Sequence, residues 1–245
     1  MADAEKELGN AQFKAGNYEQ AITHFSKAIE LGATHVLYSN RSACFAANKQ
    51  YVDAFDDACK CIDLMPTWAK GYSRKGAALH GLGRFEDNDI VNNAWSGFQV
   101  EEGSAPVVVG NRLRGNRSAG IVVYNRGSGT YEWNDISCNG RCGVQIKSGS
   151  APTFRHNRIH HEKQAGVLTA EDGTGVLEDN DIFDNQWSGV QTEGPSNPLL
   201  RRNRIHHNGG AGFIAYQNGS GLLEGNNIYG NKKYGVQSKT GGHPT

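Results

Sequence analysis

The stretch GRFEDNDI, residues 83–90, decides the fold because it fits two different kinds of repeat. With the residues before it, GRFEDND begins the second helix of a helical repeat. With the residues after it, the stretch begins a turn of β-structure, and EDNDI recurs unchanged at 178–182. The sequence therefore predicts two repeat architectures that meet here without a flexible linker.

The residues before this point repeat at intervals of about 34 with the periodicity of α-helices. GNYEQAI (16–22), KQYVDAF (49–55) and GRFEDND (83–89) align on an aromatic residue, and each follows the pattern of a first helix. Two helix pairs are complete, but only the first helix of a third pair is present. Residues 1–85 are thus predicted to form an α-helical solenoid of two full repeats and the first helix of a third.

The residues after this point repeat every 23 residues. An asparagine and a glycine recur without a gap, and apolar residues stand three before and two after each asparagine. A unit this short fits one coil of a right-handed parallel β-helix, with three short strands joined by turns. We therefore predict about seven coils over residues 86–245, and expect the asparagines to form a ladder. The asparagines are Asn88, Asn111, Asn134, Asn157, Asn180, Asn203 and Asn226.

Charged residues beside this ladder alternate in sign from coil to coil, so each acid is expected to lie between bases of the neighbouring coils. One column is Asp89, Arg112, Asp135, Arg158, Asp181 and Arg204. A second column is Glu86, Val109, Glu132, Arg155, Glu178, Arg201 and Glu224. Such columns favour correct stacking of coils, although exposed ion pairs stabilise proteins only weakly.

Composition excludes several classes of partner. The 25 basic and 25 acidic residues of the 245-residue chain balance, so electrostatic attraction to nucleic acid or an anionic membrane is not expected. No apolar run has membrane-spanning length, and the N-terminus has no signal-peptide character. The five cysteines form no disulfide framework or zinc motif. We therefore predict reduced thiols and a cytoplasmic location.

Five polar residues on the first helices form the candidate binding site. Four-residue spacing places each of two pairs on one helix face, and first helices line the concave side of a helical solenoid. Three cations and two amides together form a receptor for a doubly negative group, such as a C-terminal aspartate. These residues are Lys6, Asn10, Asn40, Lys70 and Arg74.

The helical part resembles the tetratricopeptide repeat, and specifically the first such domain of the Hop/Sti1 co-chaperone family. The resemblance is carried by EKELGN (5–10), YSNRSA (38–43) and WAKGYSRKG (68–76). It implies a two-carboxylate clamp for the C-terminal EEVD of Hsp70 or Hsp90, with Phe13, Ala43 and Ala46 as apolar contacts. It also implies a non-catalytic adaptor without a cofactor.

The β-helix part resembles the repeats of polysaccharide-active enzymes, of periplasmic copper-maturation proteins and of one F-box substrate receptor. An enzyme of this kind needs clustered carboxylates, and Glu132 and Glu178 should lie two coils apart. Arg155 falls between them, which suits a column of ion pairs better than a proton donor. The repeated RIHH motifs (His160, His161, His206 and His207) are interpreted as surface histidines. We therefore predict no catalytic residue and no metal site.

The β-helix is accordingly predicted to act as a rigid scaffold or a protein-recognition surface. It can hold a second protein or a glycan, or self-associate through an uncapped C-terminal coil. Two alternatives stay open. One is a carbohydrate-binding or carbohydrate-active β-helix protein whose helical part is an N-terminal cap. The other is a natural or engineered chimera with no retained activity.

Overall fold

The computed structural model describes residues 1–245, which divide into two compact units, Met1–Arg84 and Phe85–Thr245. The first unit contains five α-helices. They are α1 (Ala2–Lys14), α2 (Tyr18–Leu31), α3 (His35–Ala47), α4 (Tyr51–Leu64) and α5 (Ala69–Gly81). The chain continues from α5 into β-strands, so the third helix pair lacks its second helix, as predicted.

Small residues allow the helices of the first unit to approach one another closely. Ala21, Phe25 and Ala28 of α2 are buried together with residues of α3. Gly9 of α1 lies against the Phe25 ring, where an added Cβ would come within 2.9 Å of the ring carbons. Thr34 caps the start of α3 by accepting a hydrogen bond from the Leu37 amide at 3.3 Å. The apolar faces of the helices therefore account for this compact unit.

The second unit consists of short parallel strands joined by turns. The strands are β1 (Arg84–Glu86), β2 (Asp89–Val91), β3 (Phe98–Val100), β4 (Val107–Val109), β5 (Arg112–Arg114), β6 (Ile121–Val123), β7 (Thr130–Glu132), β8 (Asp135–Ser137), β9 (Val144–Ile146), β10 (Thr153–Arg155), β11 (Arg158–His160), β12 (Val167–Thr169), β13 (Val176–Glu178), β14 (Asp181–Phe183), β15 (Val190–Glu193), β16 (Leu199–Arg201), β17 (Arg204–His206), β18 (Phe213–Tyr216), β19 (Ser220–Glu224), β20 (Asn227–Tyr229), β21 (Val236–Ser238) and β22 (His243–Pro244).

These strands form three parallel sheets of eight, seven and seven strands, and every third strand along the chain joins the same sheet. Phe154 lies between Tyr131 and Leu177 in register, which is one 23-residue period in each direction. The rings of Tyr131 and Phe154 stack at 4.4 Å inside the core. The predicted fold class, a helical solenoid followed by a parallel β-solenoid of about seven coils, is confirmed.

The predicted asparagine ladder is present, and Asn157 illustrates one rung. Its Oδ1 accepts hydrogen bonds from the backbone amide and Nδ2 of Asn134, both at 2.9 Å. Its Nδ2 donates to the Tyr131 carbonyl at 2.8 Å and to Oδ1 of Asn180 at 3.0 Å. Each buried side chain thus uses both the acceptor and the donor of its amide to connect neighbouring coils.

A second ladder, five residues further along each coil, was missed in the sequence. Its rungs make the same contacts as the first, but one rung is a glutamate. The fully buried Glu162 accepts hydrogen bonds from the backbone amide of Asn139 at 2.6 Å and from its Nδ2 at 3.0 Å. The members of this ladder are Asn93, Asn116, Asn139, Glu162, Asn185, Asn208 and Asn231.

The recurring glycine is required by the close approach of successive coils. A Cβ added to Gly143 would lie 2.5 Å from Cγ2 of Ile159, and one added to Gly189 would lie 2.4 Å from Cγ2 of Ile205. Any larger residue at these positions would push the isoleucine of the following coil out of the core. The glycine column therefore has a packing role.

The charge columns form as predicted in register, but the ion pairs are less symmetric than expected. Arg112, Arg158 and Arg204 each pair with the aspartate of the preceding coil, at 2.5, 3.0 and 3.4 Å. In the other column Arg155 pairs with Glu178 at 2.8 Å, whereas Glu132 on its other side forms no ion pair. Arg201 lies between two acids, at 3.8 Å from Glu178 and 2.8 Å from Glu224, so ion pairs on both sides form at some positions of the column and not at others.

Candidate functional site

The predicted site residues lie on three helices of the first unit, and two of them contact each other directly. Nδ2 of Asn40, on α3, donates a hydrogen bond to Oδ1 of Asn10, on α1, at 3.3 Å. This bond leaves one Nδ2 hydrogen and the Oδ1 acceptor of Asn40 available. The two amides thus form a polar bridge between the first helices of the first and second repeats.

An acid on α1 lies beside this bridge. Nδ2 of Asn10 lies 3.5 Å from Oε1 of Glu7, one turn earlier on α1. One acid therefore contacts the candidate site at Asn10. The distance is at the outer limit of a hydrogen bond and the contact is exposed, so it ties up little of the Asn10 donor capacity.

Helix α5 contributes the two predicted cations of the third repeat. Nζ of Lys70 lies 5.8 Å from the centre of the Trp68 ring, and no carboxylate pairs with it. Nε of Arg74 is buried and has no hydrogen-bond partner. A buried donor without a partner costs free energy, and an incoming anion would recover it. Of the five residues, Arg74 is therefore the one with a buried donor that lacks an acceptor.

Two buried cysteines lie near Arg74. Burial raises the pKa of the Cys44 thiol, on α3, to about 12, and the positive charge of Arg74 opposes part of this effect. Burial also raises the pKa of Cys61, on α4, again with an opposing contribution from Arg74. Arg74 therefore lies within electrostatic reach of α3 and α4, and these thiols stay protonated and unreactive at neutral pH.

The remaining predicted residues are accessible to a ligand. Lys6, on α1, is half-buried and forms no ion pair, and Ala43 and Ala46, on α3, are partly exposed. Phe13 is 39% exposed, and its ring packs at 5.6 Å against Tyr18. Helix α3 contacts both α1 and α5, so it connects the helices that carry the rest of the set.

Sequence reasoning missed a polar group that fixes α3. Arg41 donates two hydrogen bonds to the buried carboxylate of Asp57, at 2.7 and 2.8 Å, and a third to Oγ of Ser26 at 2.8 Å. This bidentate pair raises the pKa of Arg41. Arg41 therefore joins α3 to α2 and α4 and holds the neighbouring Asn40 in place. The signal in the sequence was Asp57, a charged residue on the apolar face of α4.

Of the two carboxylates considered for catalysis on the β-helix, Glu178 is engaged in ion pairs and Glu132 is not. Glu178 lies 2.8 Å from Nε of Arg155, 2.8 Å from Nη2 of Arg202 and 3.8 Å from Nη1 of Arg201. Glu132 lies two strands away in the same sheet. No acid–base pair with free carboxyl groups is therefore formed by these two residues.

Membrane insertion finds no support among the helices, since none combines the length and the apolar character that crossing a bilayer requires.

Comparison with protein families identifies both repeats. A model of the right-handed β-helix region matches residues 96–245, and a tetratricopeptide repeat model matches residues 2–33. The first match covers more than half of the chain, so the protein belongs to the right-handed β-helix family. Its N-terminal part carries tetratricopeptide repeats of the Hop/Sti1 type, as the sequence predicted.

The similar curated proteins match the N-terminal part and are much longer. The chain is 49% identical over 112 residues to the heat shock protein sti1 homolog of Schizosaccharomyces pombe, which is 45% of this chain and 18% of that protein. It is 60% identical over 84 residues to the Hsp70-Hsp90 organizing protein of Triticum aestivum, covering 34% of this chain and 14% of that protein. The chain thus spans less than a fifth of the length of either relative.

Among solved structures, the second tetratricopeptide domain of human RPAP3, in complex with the HSP70 peptide SGPTIEEVD, aligns with the helical part. It is 35% identical and covers 34% of this chain and 69% of that chain, with a TM-score of 0.33.

Proposed function

We propose that the protein is a non-catalytic adaptor whose helical part, residues 1–85, binds the C-terminal EEVD-type tail of Hsp70 or Hsp90. Lys6, Asn10, Asn40, Lys70 and Arg74 form a two-carboxylate clamp in this proposal. Phe13, Ala43 and Ala46 supply the apolar contact beside it. The relatives named as Hsp70-Hsp90 organizing protein and sti1 homolog support this assignment through the helical part that they share with the chain.

The observation that carries the proposal is the buried, unpartnered Nε of Arg74 in a set that contains two further unpaired cations. Lys6, Lys70 and Arg74 form no ion pair within the chain, although acids are as frequent as bases overall. A terminal aspartate brings two carboxylates, which can accept from Arg74 and the lysines at once. The Asn10–Asn40 bridge supplies neutral donors for the remaining lone pairs.

Titration with a peptide that ends in Glu-Glu-Val-Asp tests the clamp. The free acid is expected to bind with roughly micromolar affinity. A peptide with an amidated C-terminus loses one of the two carboxylates of its terminal aspartate, and should bind at least about tenfold more weakly, a loss of about 1.4 kcal/mol. Isothermal titration calorimetry or fluorescence anisotropy on the full chain measures both.

Matched variants separate the clamp from general charge attraction. Arg74→Ala and Lys70→Ala should each weaken binding of the free acid, whereas Lys60→Ala, an exposed lysine on α4 outside the set, should not. Equal affinity for the acid and the amide, or no binding of either, would exclude the clamp. An equal loss of affinity in all three variants would mean that the peptide binds by non-specific electrostatic attraction.

The β-helix, residues 86–245, serves in this proposal as a rigid scaffold or protein-recognition surface. Its three continuous sheets and two ladders support a scaffold, because every coil is hydrogen-bonded to the next. The ion-paired state of Glu178 argues against using this carboxylate as a proton donor. The proposed partners place the protein in the cytoplasm.

A further inference from the structure

The two RIHH motifs place histidine side chains together in the same way on two coils. His160 ends β11, and His161 follows in a left-handed turn conformation with φ 57°. Their Nδ1 atoms lie 2.7 Å apart. His206 and His207 repeat the arrangement 46 residues later, with Nδ1 atoms 2.8 Å apart. The two Nδ1 atoms of each pair therefore face each other, and this arrangement occurs on two coils.

A carboxylate fixes the inner histidine of each pair. Nε2 of His160 lies 3.3 Å from Oδ1 of Asp135, and Nε2 of His206 lies 2.9 Å from Oδ1 of Asp181. An ionised carboxylate only accepts hydrogen bonds, so Nε2 is the protonated nitrogen in each case. Nδ1 of the inner histidine consequently presents its lone pair to the outer histidine. In metal sites of proteins, a hydrogen bond from the other ring nitrogen to a carboxylate commonly orients an imidazole ligand.

Aromatic stacking holds the inner rings in position. The His160 ring stacks on Phe183 at 4.7 Å, Phe183 on His206 at 5.2 Å, and His206 on Tyr229 at 4.8 Å. The side chains of His160 and His206 are 15% and 12% exposed, whereas the outer His161 and His207 are exposed. Each pair thus combines one largely buried, stacked ring with one exposed ring that meets the neighbouring aromatic ring edge-on, His161 against Phe183 at 6.2 Å and His207 against Tyr229 at 5.8 Å.

We infer that each histidine pair is a binding site for one divalent first-row transition cation, with zinc as the type case. Two imidazole nitrogens at about 2.0–2.1 Å from a tetrahedral zinc lie roughly 3.4 Å apart. The present separations need to open by only about 0.6 Å. Rotation of the exposed His161 or His207 provides that movement without disturbing the stacked ring.

Binding requires no loss of a proton from the two imidazoles, only a change of tautomer at the outer one. The outer histidine now shares its Nδ1 proton with the inner one. When the cation takes that place, this proton moves to Nε2 of the exposed outer histidine, and both Nδ1 lone pairs become ligands. Water fills the remaining positions, because no cluster of three or more ligating side chains is formed anywhere in the chain. Asp184 follows β14, the strand that pairs with both β11 and β17, and so adds a negative charge on the coil between the two pairs.

The stoichiometry of zinc binding tests this inference. Isothermal titration calorimetry of the full chain with Zn²⁺ at neutral pH should give two equivalents. His161→Asn and His207→Asn should each leave one, and the double variant none. Asparagine tolerates the left-handed turn conformation, so these variants keep the fold. A Cys138→Ser background is used throughout, because the exposed free thiol of Cys138 can itself bind zinc.

His156→Asn is the matched control. His156 has the same left-handed conformation, with φ 54°, but its ring stacks on Trp133 at 4.4 Å and has no histidine partner. This variant should still bind two equivalents. Zinc should also raise the melting temperature of the wild type and not that of the double variant. Absence of binding up to about 1 mM Zn²⁺, or two equivalents in the double variant, would overturn the inference.

Discussion

The two asparagine ladders of the β-helix differ at a single rung, and this difference shows what the fold demands of the position. At Asn157 the amide both accepts from the coil before and donates to the coil after. At Glu162 the carboxyl accepts from Asn139 in the same way, but it has no amide to donate. The Ile136 carbonyl, equivalent to the Leu113 carbonyl that Asn139 bonds at 3.2 Å, receives no such donor.

Protonation is the only way in which Glu162 can become a donor. Burial raises the pKa of this carboxyl to about 8, although its hydrogen bonds from Asn139 oppose the shift. The neutral acid carries one O–H, which partly replaces the missing amide. Hydrogen bonding by the rungs is thus independent of pH in the first ladder, whereas at Glu162 in the second ladder it depends on pH.

The largest expected effect is the loss of an intact rung in the first ladder. Asn157→Ala leaves the Tyr131 carbonyl, the Asn134 amide and Oδ1 of Asn180 short of partners in the core. Each unsatisfied buried group costs about 1–3 kcal/mol, so the free energy of unfolding should fall by roughly 4 kcal/mol. Urea denaturation followed by far-ultraviolet circular dichroism measures this fall.

The control for this variant is Asn227→Ala. Asn227 is an exposed asparagine of β20 whose side chain makes no hydrogen bond, and its loss should change stability by less than about 0.5 kcal/mol. Similar losses for Asn157→Ala and Asn227→Ala would mean that the buried amide ladder contributes no more than a surface residue.

Repair of the second ladder should have the next largest effect, and in the opposite direction. Glu162→Asn supplies the missing donor and removes a group whose pKa is about 8 when folded and about 4.5 when unfolded. The unfolded chain releases a proton that the folded chain retains. The contribution of Glu162 to the free energy of unfolding is therefore most favourable below pH 4.5. It falls as pH rises to about 8 and is then constant. The variant should be more stable by roughly 3 kcal/mol at pH 7.

The difference between the two proteins should shrink as pH is lowered towards the unfolded pKa. Urea midpoints of wild type and Glu162→Asn, measured from pH 4 to pH 9, follow this directly. A difference that did not vary with pH would show that the pKa of Glu162 is the same in the folded and unfolded states.

The ladders also show which parts of the structure were predictable from the sequence. The first ladder was found because one residue type occupies every rung. The second was overlooked because Glu162 interrupts the run, although six of its seven rungs are asparagine. The candidate site on the helices was predicted from four-residue spacings and from the resemblance to the Hop/Sti1 family. Spacing could not show that Nε of Arg74 is buried, or that Arg41 pairs with Asp57, because these depend on side-chain contacts between helices.

A smaller change in stability is expected when a carboxylate of the second charge column is replaced. Glu178 is nearly buried and pairs with Arg155 and Arg202 at 2.8 Å, whereas Glu132 of the same sheet has no ion pair. Glu178→Gln should lower the free energy of unfolding by about 1.5 kcal/mol, because charge-assisted hydrogen bonds are lost. Glu132→Gln is the matched control and should leave the denaturation midpoint unchanged. Equal midpoints for both variants would contradict this.

The smallest effect is expected in the outer charge column. Arg112 pairs with Asp89 at 2.5 Å, and this contact lowers the pKa of Asp89, yet both side chains are more than half exposed. Water and salt screen such a pair, so Arg112→Ala should not shift the denaturation midpoint measurably at physiological ionic strength. Repeating the measurement at low salt should reveal any contribution. A clear loss that persisted in 1 M salt would instead mean that Arg112 stabilises the coil by packing, and not by its charge.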